Sequence, residues 1–354
     1  MCRNVVKCKY FSRFLIFFFI SLMSGCYEKK YADLHMGESI EHIQFTDFID
    51  SIKVVPVNED SFVVGAAKKI EKVHNFYYVL CQKQDAIIKY DESGRMYTIL
   101  RRKGHARDEY TKIVDFSIDE TNGTIVILCA GNKLMVYDLS FNLKYVKDLN
   151  SFCASVCAYK GNIMCYTNNR QIVKITDNEI EVMLKGEDLP AYVYELTPVF
   201  HKVGERLFAI MEYDDTIYEL KNGEFVPVIA FSYPKQQKTI ERMRRNEAMV
   251  EFDDIMEHSS VSVFNMMLQK GKLIILYSYD LLFRVCVIDM NSKQRLTDGV
   301  ISGDFPKWIS KDLCIGTIFG KDLQKEYSNG SSQVDQVGGD GEDSNFIIEY
   351  YLNI

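Results

Sequence analysis

The sequence predicts an all-β fold, a six-bladed β-propeller closed by strands from the two ends of the chain. Three observations predict it. An apolar alternating run, a short turn and a second such run recur from about Phe45 onward. The turns return at intervals suited to one blade each, about 40 to 45 residues. The 22 Tyr and 22 Phe, set against 20 Gly and 6 Pro, suit pleated, half-buried surfaces where aromatic rings pack across neighbouring strands. At 354 residues and 47% hydrophobic content, the chain has enough apolar material for one large closed domain.

The first 25 residues stand apart from this pattern. Arg3, Lys7, Lys9 and Arg13 give a positive beginning, followed by the apolar run FLIFFFI at 14–20 with Leu22 and Met23 behind it. A bilayer span needs about 20 apolar residues, so this run is too short to cross and has the length of an export signal. It ends in Met23, Ser24, Gly25 and Cys26, which resembles the bacterial lipobox, whose cysteine receives lipid. Residues 1–25 are therefore expected to be a lipoprotein signal peptide, and 26–44 a lipidated polar tether with Glu28, Lys29, Lys30 and Glu38. Residues 45–354 are expected to form the propeller. No acidic run follows Cys26, which favours a periplasm-facing anchor over the cell surface.

Repeats follow in order. The clearest copy is FYYVLCQ with AIIKYDESGRMYTIL, 76–100, turning at 91–94, where Asp can bond its own backbone and Gly takes positive φ. The others are 123–146, 162–184, 206–231 and 272–296. Their turn residues Asp91, Asp138, Asp177, Asn222 and Asp289 lie 47, 39, 45 and 67 positions apart. The long last interval contains 234–258, rich in helix formers with Ile240, Met243 and Val250 on one face, and predicts one inserted helix. For the sixth blade the candidates are SIKVVPV at 51–57 and FIIEYYL at 346–352, one from each end. Between the fifth repeat and that last strand, 328–345 reads as a polar loop in which Asp335, Asp340 and Asp343 lack calcium-loop spacing.

Charge and cysteines narrow the function. The formal net charge is −7, and loss of the four signal-peptide cations makes it about −11, a field that repels phosphate backbones, so no nucleic-acid partner is expected. Of 10 cysteines, Cys2 and Cys8 leave with the signal and Cys26 takes lipid. Cys81, Cys129, Cys165 and Cys286 sit in apolar runs as small buried hydrophobes. Cys153 and Cys157, about 13 Å apart on an extended strand, are too distant to bridge. With the six His scattered, neither zinc nor any other cofactor is expected.

Several pieces carry a family resemblance: FTDFIDSIKVVPV, KKIEKVHNFYYVL, AIIKYDESGRMYTIL, the junction KGHARDEYTKIVDFSID and the ending DSNFIIEYYL. They resemble the six-bladed β-propeller lipoproteins of Bacteroides-like bacteria, a group whose function is largely undefined. The likeness is strongest over 68–149. In that family the junction runs Gly, variable, Gly, Pro, variable, Glu, Tyr; here Gly104, Glu109 and Tyr110 match, while Ala106 and Arg107 replace the second Gly and the Pro. The fold carries over, and a function tied to a tight Gly-Pro turn does not. Phe346 also stands where the family commonly has Pro.

The densest ionic cluster is that same junction. Arg101, Arg102, His105, Arg107 and Glu109, with Lys103 and Asp108, form a candidate site for an anionic sugar or a peptide carboxylate. The alternative is a solvated loop in which Glu109 and Tyr110 bond backbone. No GxSxG, HExxH or Walker sequence is present, and the pairs Asp214/Asp215 and Asp253/Asp254 would point to opposite faces of a strand. No catalytic residue is therefore nominated. The reading is a membrane-anchored, non-catalytic propeller that holds an envelope protein or glycan. Its rival is a propeller hydrolase or lyase acting on sugars or lactones at the central channel, which carboxylates brought from separate blades could build.

Overall fold

In the computed structural model the described residues are 32–35, 39, 41–57, 67–176, 179–187, 198–211, 214–232, 262–279, 282–302, 308–310, 313–319 and 345–353. They form six sheets, each built on an antiparallel four-stranded meander that is consecutive in five of them and completed by an N-terminal strand in the sixth. Blade I covers 67–100, blade II 113–148, blade III 153–185, blade IV 200–232 and blade V 262–302. Blade VI takes Trp308–Ser310, Leu313–Phe319 and Asn345–Leu352 from the C-terminal side and Ile49–Pro56 from the N-terminal side. First strands touch their neighbours in order round the ring, blade VI returning to blade I. The predicted helix at 234–258, the signal, Cys26, Asp177 with Asn178, Asp253 with Asp254, and 328–344 lie outside the described residues.

Burial explains why the repeats read as they do. Second and third strands are covered on both faces by neighbouring blades, so Phe76–Cys81 and Ala86–Asp91 are nearly continuous buried runs. Outermost strands such as Met96–Leu100 and Ile180–Lys185 are half solvated, and the second carries Glu181 and Lys185. Six apolar clusters fill the six interfaces, one between each pair of blades. The seven described cysteines are buried in these layers, and none of them forms a disulfide. Cys153 packs towards blade II and Cys157 towards blade IV, because a bulge and the strand's alternation turn them to opposite faces.

The four predicted turns that fall among the described residues are built as expected. Asp91 Oδ1 accepts from the Ser93 and Arg95 backbone N–H groups at 2.9 and 3.1 Å, and from the Ser93 hydroxyl at 2.6 Å. These bonds, the Ser93 hydroxyl first, hold its carboxyl down at about 2. Asp138 and Asp289 repeat the arrangement in blades II and V. Asn222 and Gly223 both take positive φ, 51° and 88°, as a two-residue hairpin requires.

The ring closes by pairing Asn345–Leu352 with Ile49–Pro56, Ile347 opposite Val55 and Glu349 opposite Lys53. Glu349, fully buried, accepts from Lys72 Nζ at 2.6 Å, the Tyr77 hydroxyl at 2.5 Å and the Tyr351 hydroxyl at 2.6 Å. Burial alone would raise its carboxyl, but Lys72 and the two hydroxyls outweigh that and hold it below the ordinary value. Gly94 (φ +77°) completes the seam from blade I: a Cβ there would lie 1.8 Å from the Pro56 carbonyl oxygen.

Part of the segment expected as a tether is woven into the ring. Ala32–His35 adds a fifth, parallel strand to blade IV, and His42–Gln44 does the same for blade V. Leu34 enters the core between blades IV and V, while Ile43 lies over Gly299, where a Cβ would come within 2.5 Å of its Cδ1. The reason is the open outer edge of each blade, whose unpaired backbone groups accept another strand. The polar composition of 26–44 masked two apolar anchors.

Glu349→Ala strands the Lys72 amine and two hydroxyls in the seam and is expected to cost about 3–5 kcal/mol. Urea denaturation should show a large fall in the midpoint, whereas Glu181→Ala, on the exposed outer strand of blade III, should leave it unchanged.

Candidate functional site

The six first strands enclose a central channel holding a cavity of about 450 Å³. Its chemistry is set by one repeated irregularity. In blades I, II, III and V the first strand bulges at the same step, four residues before its hairpin end, between Ala67 and Lys69, Ile113 and Asp115, Cys153 and Ser155, and Val263 and Asn265. A bulge re-aims the side chain that follows it. Four polar residues, Lys69, Asp115, Ser155 and Asn265, are thereby placed at the channel wall.

Two carboxylates are shared around this wall. Asp115 accepts from Lys69 Nζ at 2.9 Å, Ser155 Oγ at 3.2 Å, and the backbone N–H groups of Phe116 and Val156 at 2.8 and 2.9 Å. Glu71 accepts from Lys202 Nζ at 2.9 Å and the Ile118 N–H at 3.1 Å, with Lys69 Nζ at 3.5 Å. Lys202 belongs to blade IV and Glu71 to blade I, so this pair crosses the channel. Burial would lower the Lys69 amine, yet Asp115 and Glu71 overcome it and hold the group above its ordinary value. Both acids are thus committed to cations and backbone donors.

Two reactive side chains complete the tier of Glu71. The first strands place Glu71, Ser117, Cys157 and His201 at the same height, each two residues before its hairpin end. Burial pushes the Cys157 thiol up to about 12, so it is no nucleophile near neutral pH. Burial also pushes His201 down to about 4, against a bond to the Pro198 backbone that acts the other way. The imidazole is neutral at pH 7 and, with one nitrogen held by Pro198, its Nε2 offers a lone pair. His201 Nε2, Ser117 Oγ and Glu71 Oε1 are buried without a hydrogen-bond partner among the described residues. Phe200, Phe264, Met266 and Ile309 supply an apolar side to the same cavity.

The junction nominated from the sequence lies elsewhere. Arg101, Arg102, His105 and Arg107 are exposed on the loop joining blades I and II, Glu109 is half-buried, and none of them lines the channel. The loop bonds itself: Arg102 Nη1 donates to Asp108 at 3.2 Å, the Ala106 N–H to Glu109 Oε2 at 2.9 Å, and the buried Tyr110 hydroxyl to the Asp85 carbonyl at 2.8 Å. A Cβ at Gly104 would fall 1.9 Å from Glu109 Oε2. The matching Gly, Glu and Tyr are therefore explained by loop construction. Lys69, Glu71, Asp115, Ser155, His201, Lys202 and Asn265 escaped the sequence reading. Their signal was a polar residue recurring in the first strand of each repeat, as in KKIEKV, VDFSID and VFNMML.

Comparison with known proteins agrees with this architecture. Residues 28–298 match the family DUF5128, described as 6-bladed beta-propeller. The chain belongs to that family. Among solved structures, this DUF5128 propeller is similar to a Bacteroides fragilis NCTC 9343 protein described as exported, with 16% identity, a TM-score of 0.69, and 92% of this chain and 100% of the other covered. It is also similar to a member of the duf4221 family from Bacteroides vulgatus, with 7% identity, a TM-score of 0.50, and 85% and 96% of the two chains covered. Both likenesses concern the fold. No curated protein matches the chain.

The buried His201 predicts an acid-side pH dependence. Its folded value, about 4, lies below the ordinary 6.5, so between these values the unfolded chain holds the proton that the folded chain refuses. Stability from this group is full above pH 6.5 and is lost as pH falls towards 4, by about 3 kcal/mol in all. Urea melts of His201→Gln across that window should lack this part of the slope.

Proposed function

We propose that the protein is a lipid-anchored envelope module that binds, without turning over, a neutral hydroxyl-bearing ligand in its central channel, such as a sugar unit of an envelope glycan. The observation that carries this reading is the state of the channel's polar groups. Its acids are occupied by lysines and backbone donors, and its thiol is protonated. What remains unpartnered is a neutral imidazole nitrogen and a serine hydroxyl, which suit a hydroxyl-bearing ligand. The lining holds five lysines against five carboxylates, which favours an uncharged ligand. The phenylalanine side offers a surface for the apolar face of a sugar ring.

Anchoring rests on the 14–26 sequence and gains support from the exported description of the Bacteroides fragilis relative. Two or more acyl chains hold a protein firmly where one does not. Cys26→Ser should move the protein from the membrane fraction to the soluble one on fractionation of the native host; retention in the membrane would contradict the anchor.

A second reading, a hydrolase or lyase on sugars or lactones, is favoured by one observation. Glu71, Asp115, His201 and Asn265 do converge on one channel, and His201 Nε2 could take a proton. Calorimetric titration with neutral envelope oligosaccharides, followed by mass spectrometry of the same mixtures, separates the two. The binding reading expects heat without products, with His201→Ala and Ser117→Ala each weakening affinity about tenfold, or about 1.4 kcal/mol. Products that vanish in His201→Ala would establish the enzyme.

A further inference from the structure

The N-terminal strands also determine how an anchored ring sits on its membrane. Ala32–His35 is fastened along the outer strand of blade IV, Ala32 opposite Ile229 and His35 opposite Ser232. The chain then passes blade V, where the Glu41 carbonyl accepts from the Val300 N–H at 2.8 Å and the Ser39 carbonyl from Arg284. It ends as the outer strand of blade VI. The strap therefore walks the rim from blade IV to blade VI, and the first of its described residues is fastened to blade IV.

Five residues lie between Cys26 and Ala32, six Cα-to-Cα steps. Fully extended they reach at most about 20 Å. An eighteen-residue tether would let the ring tumble above the headgroups, but a leash this short leaves little freedom. Blade I lies three blades away, across the channel, as the Lys202–Glu71 pair demonstrates. A strand entering parallel to Glu224–Ser232 is fed from the side of the Asn222–Gly223 turn. On that side lie Lys221, Arg206 and Lys293 around the buried Glu219, which takes Arg206 at 2.6 Å and Lys221 at 2.8 Å, so the corner carries three cations against one carboxylate and keeps a net positive charge. Cations at this corner suit lipid phosphates.

We propose that the propeller stands with the rim of blade IV against the bilayer, its Lys221 corner at the phosphate headgroups, and blade I with the Arg101–Glu109 loop directed away from the membrane. This rests on lipidation at Cys26 but not on what the channel binds. The blade I–II loop then becomes the part most accessible to other envelope components, and the channel axis runs closer to parallel than perpendicular to the membrane.

The lipidated full-length protein, in vesicles of phosphatidylethanolamine and phosphatidylglycerol with an energy-transfer acceptor on the headgroups, tests this. Donor dyes are placed through Asn222→Cys or Glu92→Cys, equivalent turns on blades IV and I. Transfer should be several-fold greater from position 222, and a long Gly/Ser insertion between Tyr31 and Ala32 should reduce the difference. Equal transfer from the two sites on vesicle-bound protein overturns the orientation. Failure of the protein to float with vesicles overturns the anchor itself, and the orientation with it.

Discussion

Sheets packed face to face around an axis leave one seam, between the blade that comes first in the chain and the blade that comes last, and the channel exists only while that seam is shut. Here it is shut by main-chain pairing between Ile49–Pro56 and Asn345–Leu352, strands almost three hundred positions apart. Bringing such distant segments together carries a loop-closure cost, although one that grows only slowly with length. The compensation is concentrated. Val55, Ile347 and Ile315 join Tyr77 and Val79 in the cluster between blades VI and I. Glu349 ties Lys72, Tyr77 and Tyr351 together in the same layer. A buried acid left alone would oppose folding, but one with three short partners specifies which blades meet.

The channel inherits its properties from this closure. First strands have their neighbours on both sides only in a complete ring, and the shared carboxylates reflect it. Glu71 of blade I takes an N–H from blade II and an amine from blade IV; Asp115 of blade II takes an N–H from blade III and an amine from blade I. The charged groups that line the channel are consequently also groups that hold the blades together. The unpartnered atoms of His201 and Ser117 are the exceptions, and they mark where a ligand could repay its own desolvation.

Much of the fold was legible from residues whose physics is local. Asp91, Asp138 and Asp289 announced their turns because an Asx side chain bonds the backbone two residues on. The apolar runs at 76–81 and 124–129 announced buried strands, and the two terminal strands could be matched because only an unclosed ring leaves them unpaired. The site was less legible. A basic run such as RRKGHARDE draws attention by density, yet its charges are spent on an exposed loop. The channel residues are single polar positions scattered over almost two hundred residues, and a one-residue bulge decides which way four of them point. Spacing along the chain carries no sign of that bulge. The rim strap was missed for a related reason: Leu34 and Ile43 are isolated apolar residues whose burial depends on edges contributed by blades IV and V.

Closure as a global property is tested most directly by native-state hydrogen exchange. If the seam holds the ring together, the amides of Ile347, Glu349 and Tyr351 exchange only through complete unfolding, with the same free energy and denaturant dependence as those of Ile127 and Val136 in blade II. Exchange of the seam amides at a much lower free energy, insensitive to denaturant, would mean that blade VI opens while the other five stand, and would contradict the account.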